Sequence, residues 1–188
     1  MNYSDEEQEW IGGVGLVAEF EPLSFYTQYV LSCPINLRDS QLYAYHVGRL
    51  FNQIHNDAIS ASPQISEAGC LALAAVADSI ADSAKEHQSA SIVRVLTSTK
   101  DIAPLVEVGK SLAHCPDEFK KTQHFAFCLG QFVERFGDAV NNNNALHKYL
   151  KKELGTDFSK ILNAIETVTD INACDMEEQQ TEGQSPGM

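Results

Sequence analysis

Between His114 and Cys128 the chain reads HCPDEFKKTQHFAFC, placing two histidines and two cysteines, the usual ligands of zinc, within fifteen residues. Pro116, Asp117 and Glu118 make a standard helix start there, with acids in the first turn where the helix dipole favours them. His124 then lies nine residues beyond Cys115, about 13 Å along a straight helix. Zinc bonds are only about 2.0–2.3 Å long, so those two side chains cannot share one ion. His124 and Cys128 do share a face, at i and i+4, beside the apolar stripe Phe125, Leu129, Phe132 and Phe136. Cys128 reads as a small core residue and His124 as a boundary residue. Asp78, Asp82 and Glu86 recur at i, i+4 and i+8 and could hold Mg²⁺ or Mn²⁺. No Glu-x-x-His pair accompanies them, and a solvated helix face is the reading adopted. His46 could serve haem as an axial ligand, but an isolated helical histidine is more often structural. No metal and no cofactor is therefore expected.

The stretch RLFNQIH, Arg49 to His55, sets an arginine six residues before a histidine on one helix. This resembles the active-site signature of the HEPN (higher-eukaryote and prokaryote nucleotide-binding) all-helical ribonucleases. The resemblance implies metal-independent RNA cleavage, with His55 as acid/base on the 2′-hydroxyl and Arg49 stabilising phosphate charge, in a dimer that assembles two copies of the pair. Leu50 stands where that family carries a polar residue. On a helix the two side chains flank the core stripe about 120° apart.

The helices that must carry these groups follow from caps and periodicity. Ser4 and Glu7 have the spacing of a capping box and open a first helix near 5–20. Gly12, Gly13 and Gly15 weaken it and suggest a kink or a close helix contact. Pro22 starts a second helix, and Cys33-Pro34 ends it. Asn36 is the expected cap of a third helix running to Ser60, whose core stripe is Tyr43, Val47, Leu50, Phe51, Ile54 and Ala58. The fourth, from Pro63 to about His87, is rich in alanine and is expected at the centre. Residues 89–99 read as a short helix or an extended connector. Further helices are expected from Asp101 to His114, from Pro116 to Val140, up to Leu154 where Gly155 permits a left-handed cap, and from Thr156 or Asp157 to Ile171. No internal repeat is visible. The expected fold is all-α: a single-domain bundle of seven to eight helices over 1–172, followed by an acidic flexible tail over 173–188.

Charge narrows the function. Residues 1–37 contain six acids and no lysine or arginine, and residues 161–188 repeat that pattern, while the middle is roughly neutral. Acidic ends argue against a basic nucleic-acid footprint, Lys148, Lys151 and Lys152 aside. Five cysteines with no CxxC spacing read as reduced thiols, and the longest stretch without strongly polar residues, AGCLALAAVA, is far short of the roughly 18 residues that cross a bilayer. The N-terminus lacks signal-peptide character. A cytoplasmic protein with no membrane association is expected. Trp10, Phe20, Phe25, Tyr26 and Tyr29 exceed what short helices bury themselves: either they pack onto the main bundle, the reading preferred, or part of them forms a partner surface. The functional expectation is a helical interaction module, an adaptor, regulator or inhibitor that binds a protein through a helical surface. It is not expected to be an enzyme, and dimer formation is left open. The alternatives are the ribonuclease of Arg49 and His55, and a small-molecule or cofactor sensor with a pocket between helices.

Overall fold

A computed structural model of the protein describes residues 3–59, 65–83, 102–141 and 144–170. Among them are nine α-helices and no strand: α1 (Asp5–Phe20), α2 (Leu23–Leu31), α3 (Gln41–Ile59), α4 (Glu67–Ser83), α5 (Ile102–His114), α6 (Asp117–Lys120), α7 (Gln123–Asn141), α8 (Asn144–Leu154) and α9 (Thr156–Thr169). A 3-10 turn occupies Ile35–Leu37. The all-α class is as expected. The segment 89–99 and the tail 173–188 lie outside the described residues.

Local chemistry accounts for the ends. The Ser4–Glu7 capping box forms in both directions, and Glu7 also accepts from Asn36 Nδ2 at 3.0 Å, tying the start of α1 to the 3-10 turn. Asn36 is thus not the cap of α3. That role belongs to Ser40, whose Oγ accepts the Tyr43 N–H at 3.2 Å. Likewise the helix expected from Pro116 to Val140 is two helices, because Thr122 interrupts it and caps α7 by accepting the Phe125 N–H at 3.2 Å. That break raises the count from eight to nine. Gly155 joins α8 to α9 with φ of 52°, a backbone conformation that favours glycine.

Nor is the alanine-rich α4 the centre. Ala68, Ala72, Ala74 and Ala75 face outward, and the middle of the molecule is the pair α3 and α7, which run side by side in the same direction over the largest helix–helix contact of the structure. Both helices approach backbone to backbone: a Cβ added to Gly48 would strike the Phe127 carbonyl, and one added to Gly130 would strike the Tyr45 carbonyl.

Those two contacts are copies of one another displaced by 82 residues, and the displacement extends well beyond them. Pro22, Leu23, Cys33, Pro34, Gln41, Ala44 and Gly48 recur as Pro104, Leu105, Cys115, Pro116, Gln123, Ala126 and Gly130. Buried Leu37, Tyr43, Tyr45, Val47 and Leu50 recur as buried Phe119, Phe125, Phe127, Leu129 and Phe132. The hydrogen bonds repeat too. Gln41 Nε2 donates to the carbonyls of Lys120 and Thr122 at 2.7 and 2.9 Å, and Gln123 Nε2 donates to those of Arg38 and Ser40 at 2.7 and 3.4 Å. Each half supplies the glutamine that satisfies the carbonyls ahead of the other half's central helix. An approximate two-fold axis therefore runs between α3 and α7, exchanging α2, the 3-10 turn and α3 with α5, α6 and α7. The helices that follow obey it in part: α4 meets α2, α3 and α7, and the corresponding contacts are divided between α8, which meets α5 and α7, and α9, which meets α5 and α3. The chain thus has an internal repeat, contrary to the expectation of none, and in the sequence it shows only as scattered identities at that offset. Because the two glutamines do the same work, Gln41→Ala and Gln123→Ala are expected to cost similar amounts, about 1 kcal/mol each in urea unfolding.

Candidate functional site

Beyond the glycine contact, the axis passes a polar cluster. Arg49 Nε donates to Glu134 Oε2 at 2.9 Å, with 17 and 14 % of the two side chains exposed. The 82-residue displacement carries Arg49 onto Gln131 and Asn52 onto Glu134, so the same geometric position on the other side of the axis is held by the amides of Gln131 and Asn52. Both are buried, and Gln131 Nε2, Gln131 Oε1 and Asn52 Nδ2 find no hydrogen-bond partner among the described residues. One side of the axis thus holds a satisfied ion pair and the other an unsatisfied amide pair. Replacing Gln131 with the similarly sized Leu is expected to raise stability by about 1 kcal/mol, since an unsatisfied buried amide carries a desolvation cost of that order. Arg49→Leu, which strands the Glu134 carboxylate, is expected to lower it by about 2 kcal/mol. Chemical denaturation of the two variants reads both.

One turn earlier on α3, Nδ1 of buried His46 and the Tyr26 hydroxyl are hydrogen-bonded 2.7 Å apart, in an edge-on ring contact. Burial, with Arg49 adding to it, pushes the imidazole down to about 3, so His46 is neutral at physiological pH. Burial also drives the Tyr26 hydroxyl upward, and the Cys33 and Cys128 thiols up to about 12. Thiols held protonated in this way are poor nucleophiles.

The residues singled out from sequence fall as follows. Arg49 is committed to Glu134, and the His55 side chain lies outside the described residues. His124 is buried between Phe119 and Phe127, with burial depressing its imidazole. Cys115 and Cys128 are both buried, and among the described residues no three His, Cys, Asp or Glu side chains gather where they could hold a metal ion. Asp78 is exposed; the Asp82 side chain and Glu86 lie outside the described residues. No described helix is long and apolar enough to cross a membrane.

The N-terminal aromatic set divides. Trp10 and Tyr26 are buried core residues: the Trp10 indole N–H donates to the Tyr29 carbonyl at 3.1 Å, and its ring packs on Tyr29 and Tyr43. Tyr29 is half-buried over Gly13. Phe20 and Phe25, in contrast, are 76 and 47 % exposed, and Leu16, one turn before Phe20, is 62 % exposed. Leu16 lies outside the aromatic set expected from sequence. Its i, i+4 spacing to Phe20, on a helix whose buried residues are Glu7, Trp10 and Val14, is the signal that places the two together on the outer face.

A cleft at the end of α9, lined by Glu166, Thr167, Thr169 and Asp170, is polar and open to solvent. Compared with protein-family models, with curated proteins and with solved structures, the chain matches none.

Proposed function

We propose that the protein is a helical interaction module that binds a protein partner through the α1–α2 hairpin. The observation that carries this is the exposure of Leu16, Phe20 and Phe25 within ten residues, on helices whose other apolar side chains are buried or half-buried. An isolated exposed leucine needs no explanation, but three large apolar side chains grouped on one hairpin mark a surface that is covered in use. The face is held rigidly. Trp10 and Val14 anchor α1 to the core, Tyr26 and Val30 anchor α2, and the Tyr29 hydroxyl donates to the Glu9 carbonyl at 3.3 Å across the hairpin. A preformed surface binds with little ordering cost.

The ribonuclease reading gains no support from the Arg49 geometry, because Glu134 already neutralises the guanidinium that would face phosphate. The test is affinity capture from an extract of the source cells, comparing the native chain with a Leu16→Ser/Phe20→Ser double variant by quantitative mass spectrometry. The expected result is a protein retained by the native chain and lost from the variant. Retention of RNA or of a small molecule with no protein would contradict the reading.

A further inference from the structure

We infer that the partner element seated on α1–α2 is a basic amphipathic helix. This rests on the interaction reading above and adds to it the chemistry of the occupant.

Helical geometry defines the face. Glu9, Gly13, Leu16 and Phe20 follow one another at steps of four, three and four residues and form a single stripe along α1. Tyr29 of α2 lies over the first half of that stripe, its hydroxyl on the Glu9 carbonyl and against Gly13, and Phe25 stands one turn from Tyr29 with ring centroids 6.4 Å apart. Leu16 and Phe20 on α1 and Phe25 on α2 are thus the exposed large apolar side chains of the hairpin. On the outer side of the stripe Gly12 and Gly15 are exposed, with nothing within 4 Å of where a Cβ would stand. A second helix can thus lie close to the α1 backbone beside Leu16.

Charge selects the occupant. Asp5, Glu6, Glu9, Glu19 and Glu21 are exposed on this hairpin, and residues 1–37 contain no lysine or arginine to balance them. Such a rim repels a second copy of the same face, a nucleic acid and an anionic lipid surface, and it attracts a segment with lysine or arginine flanking an apolar stripe. The approximate two-fold axis supplies an internal comparison. The α5 positions equivalent to Phe25, Tyr29 and Ser32 are Glu107, Ser111 and His114. The fold therefore tolerates a charged residue at the position of Phe25, so packing alone does not require that aromatic ring.

The experiment titrates the full-length chain with two synthetic helical peptides that share one leucine pattern at i, i+3, i+4 and i+7. One carries lysine and the other glutamate on the flanks, and binding is followed by fluorescence anisotropy. The lysine peptide is expected to bind at least tenfold more tightly, to weaken at least tenfold with either Phe20→Ser or Leu16→Ser, and to be unaffected by Glu107→Gln. Circular dichroism confirms that the exposed-site variants remain folded. Equal binding of the two peptides, or indifference to both serine variants, overturns the inference. So does phosphatidylglycerol vesicle or oligonucleotide binding that depends on Phe20 while the lysine peptide does not bind. If neither peptide binds but the capture experiment still retains a protein through Leu16 and Phe20, the basic helix is refuted and the interaction reading stands. Loss of both refutes the two together.

Discussion

Gly48→Ala and Gly130→Ala are each expected to cost about 3 kcal/mol or more, and the double variant is expected not to fold. In both cases the new methyl group meets a backbone carbonyl of the opposite central helix, Phe127 for Gly48 and Tyr45 for Gly130. A flexible side chain can swing away from such a contact, whereas a helix backbone moves only by separating the two helices. That separation would loosen Leu50, Leu129 and Phe132, which lie fully buried beside the crossing. Overpacking of well-packed cores typically costs 1–3 kcal/mol, and backbone contacts stand at the upper end or beyond it. Two such losses, about 6 kcal/mol or more together, match the lower part of the roughly 5–15 kcal/mol that holds a domain folded. The opposite sign is expected on α1. Gly12 and Gly15 face open space, so replacing either with alanine is expected to stabilise the helix by up to about 1 kcal/mol through propensity. Urea unfolding of the four single variants reads the contrast directly.

The second large effect is with pH. His46 is held neutral by burial, its folded pKa down at about 3, whereas the unfolded chain takes up the proton near 6.5. Between those values the unfolded state binds the extra proton, so stability falls as pH falls. The contribution is complete above pH 6.5 and declines below it, by about 2 kcal/mol on reaching pH 5. His124, also depressed by burial, acts in the same direction. Glu7, Asp117 and Asp157, whose pKa values are lowered by their hydrogen bonds, lose stability only below about pH 4.5, so the interval from pH 7 to 5 isolates the histidines. A Tyr26→Phe/His46→Leu variant removes both members of the buried pair together. It is expected to flatten the decline over that interval, leaving the part due to His124. An unchanged slope would place the acid sensitivity elsewhere.

How much of this was legible beforehand depended on the range over which the signal acts. Helix ends were, because caps and prolines work within four residues: Ser4 with Glu7, Pro22, Cys33-Pro34 and the left-handed Gly155 all stand where local chemistry puts them. Asn36 misled because its amide is an equally good cap donor and acceptor, and only the distant Glu7 carboxylate draws it into the 3-10 turn. The repeat escaped because its identical residues never form a run longer than the pairs Pro22-Leu23 and Cys33-Pro34. At some other positions the halves keep size and polarity rather than identity, as in Tyr43 with Phe125 and Ser40 with Thr122. At the axis they diverge, Arg49 corresponding to Gln131 and Asn52 to Glu134 in the 82-residue register. An arginine read alone suggests phosphate chemistry, and its neutralisation by a glutamate 85 residues away is visible only in three dimensions. The aromatic surface was half legible. Counting aromatic residues gathered Trp10 and Tyr26 with Phe20 and Phe25, while the helical phase that separates buried from exposed also adds Leu16.

The proposed partner surface is the exposed face of α1–α2. The most direct measurement replaces Phe20 with a photo-crosslinking benzoylphenylalanine in the full chain, irradiates it in the source cells, and repeats this with the probe at position 107, the α5 counterpart of Phe25. A defined protein adduct from position 20 and none from position 107 is the predicted result. Adducts of equal yield from both positions, or from position 107 alone, would contradict it.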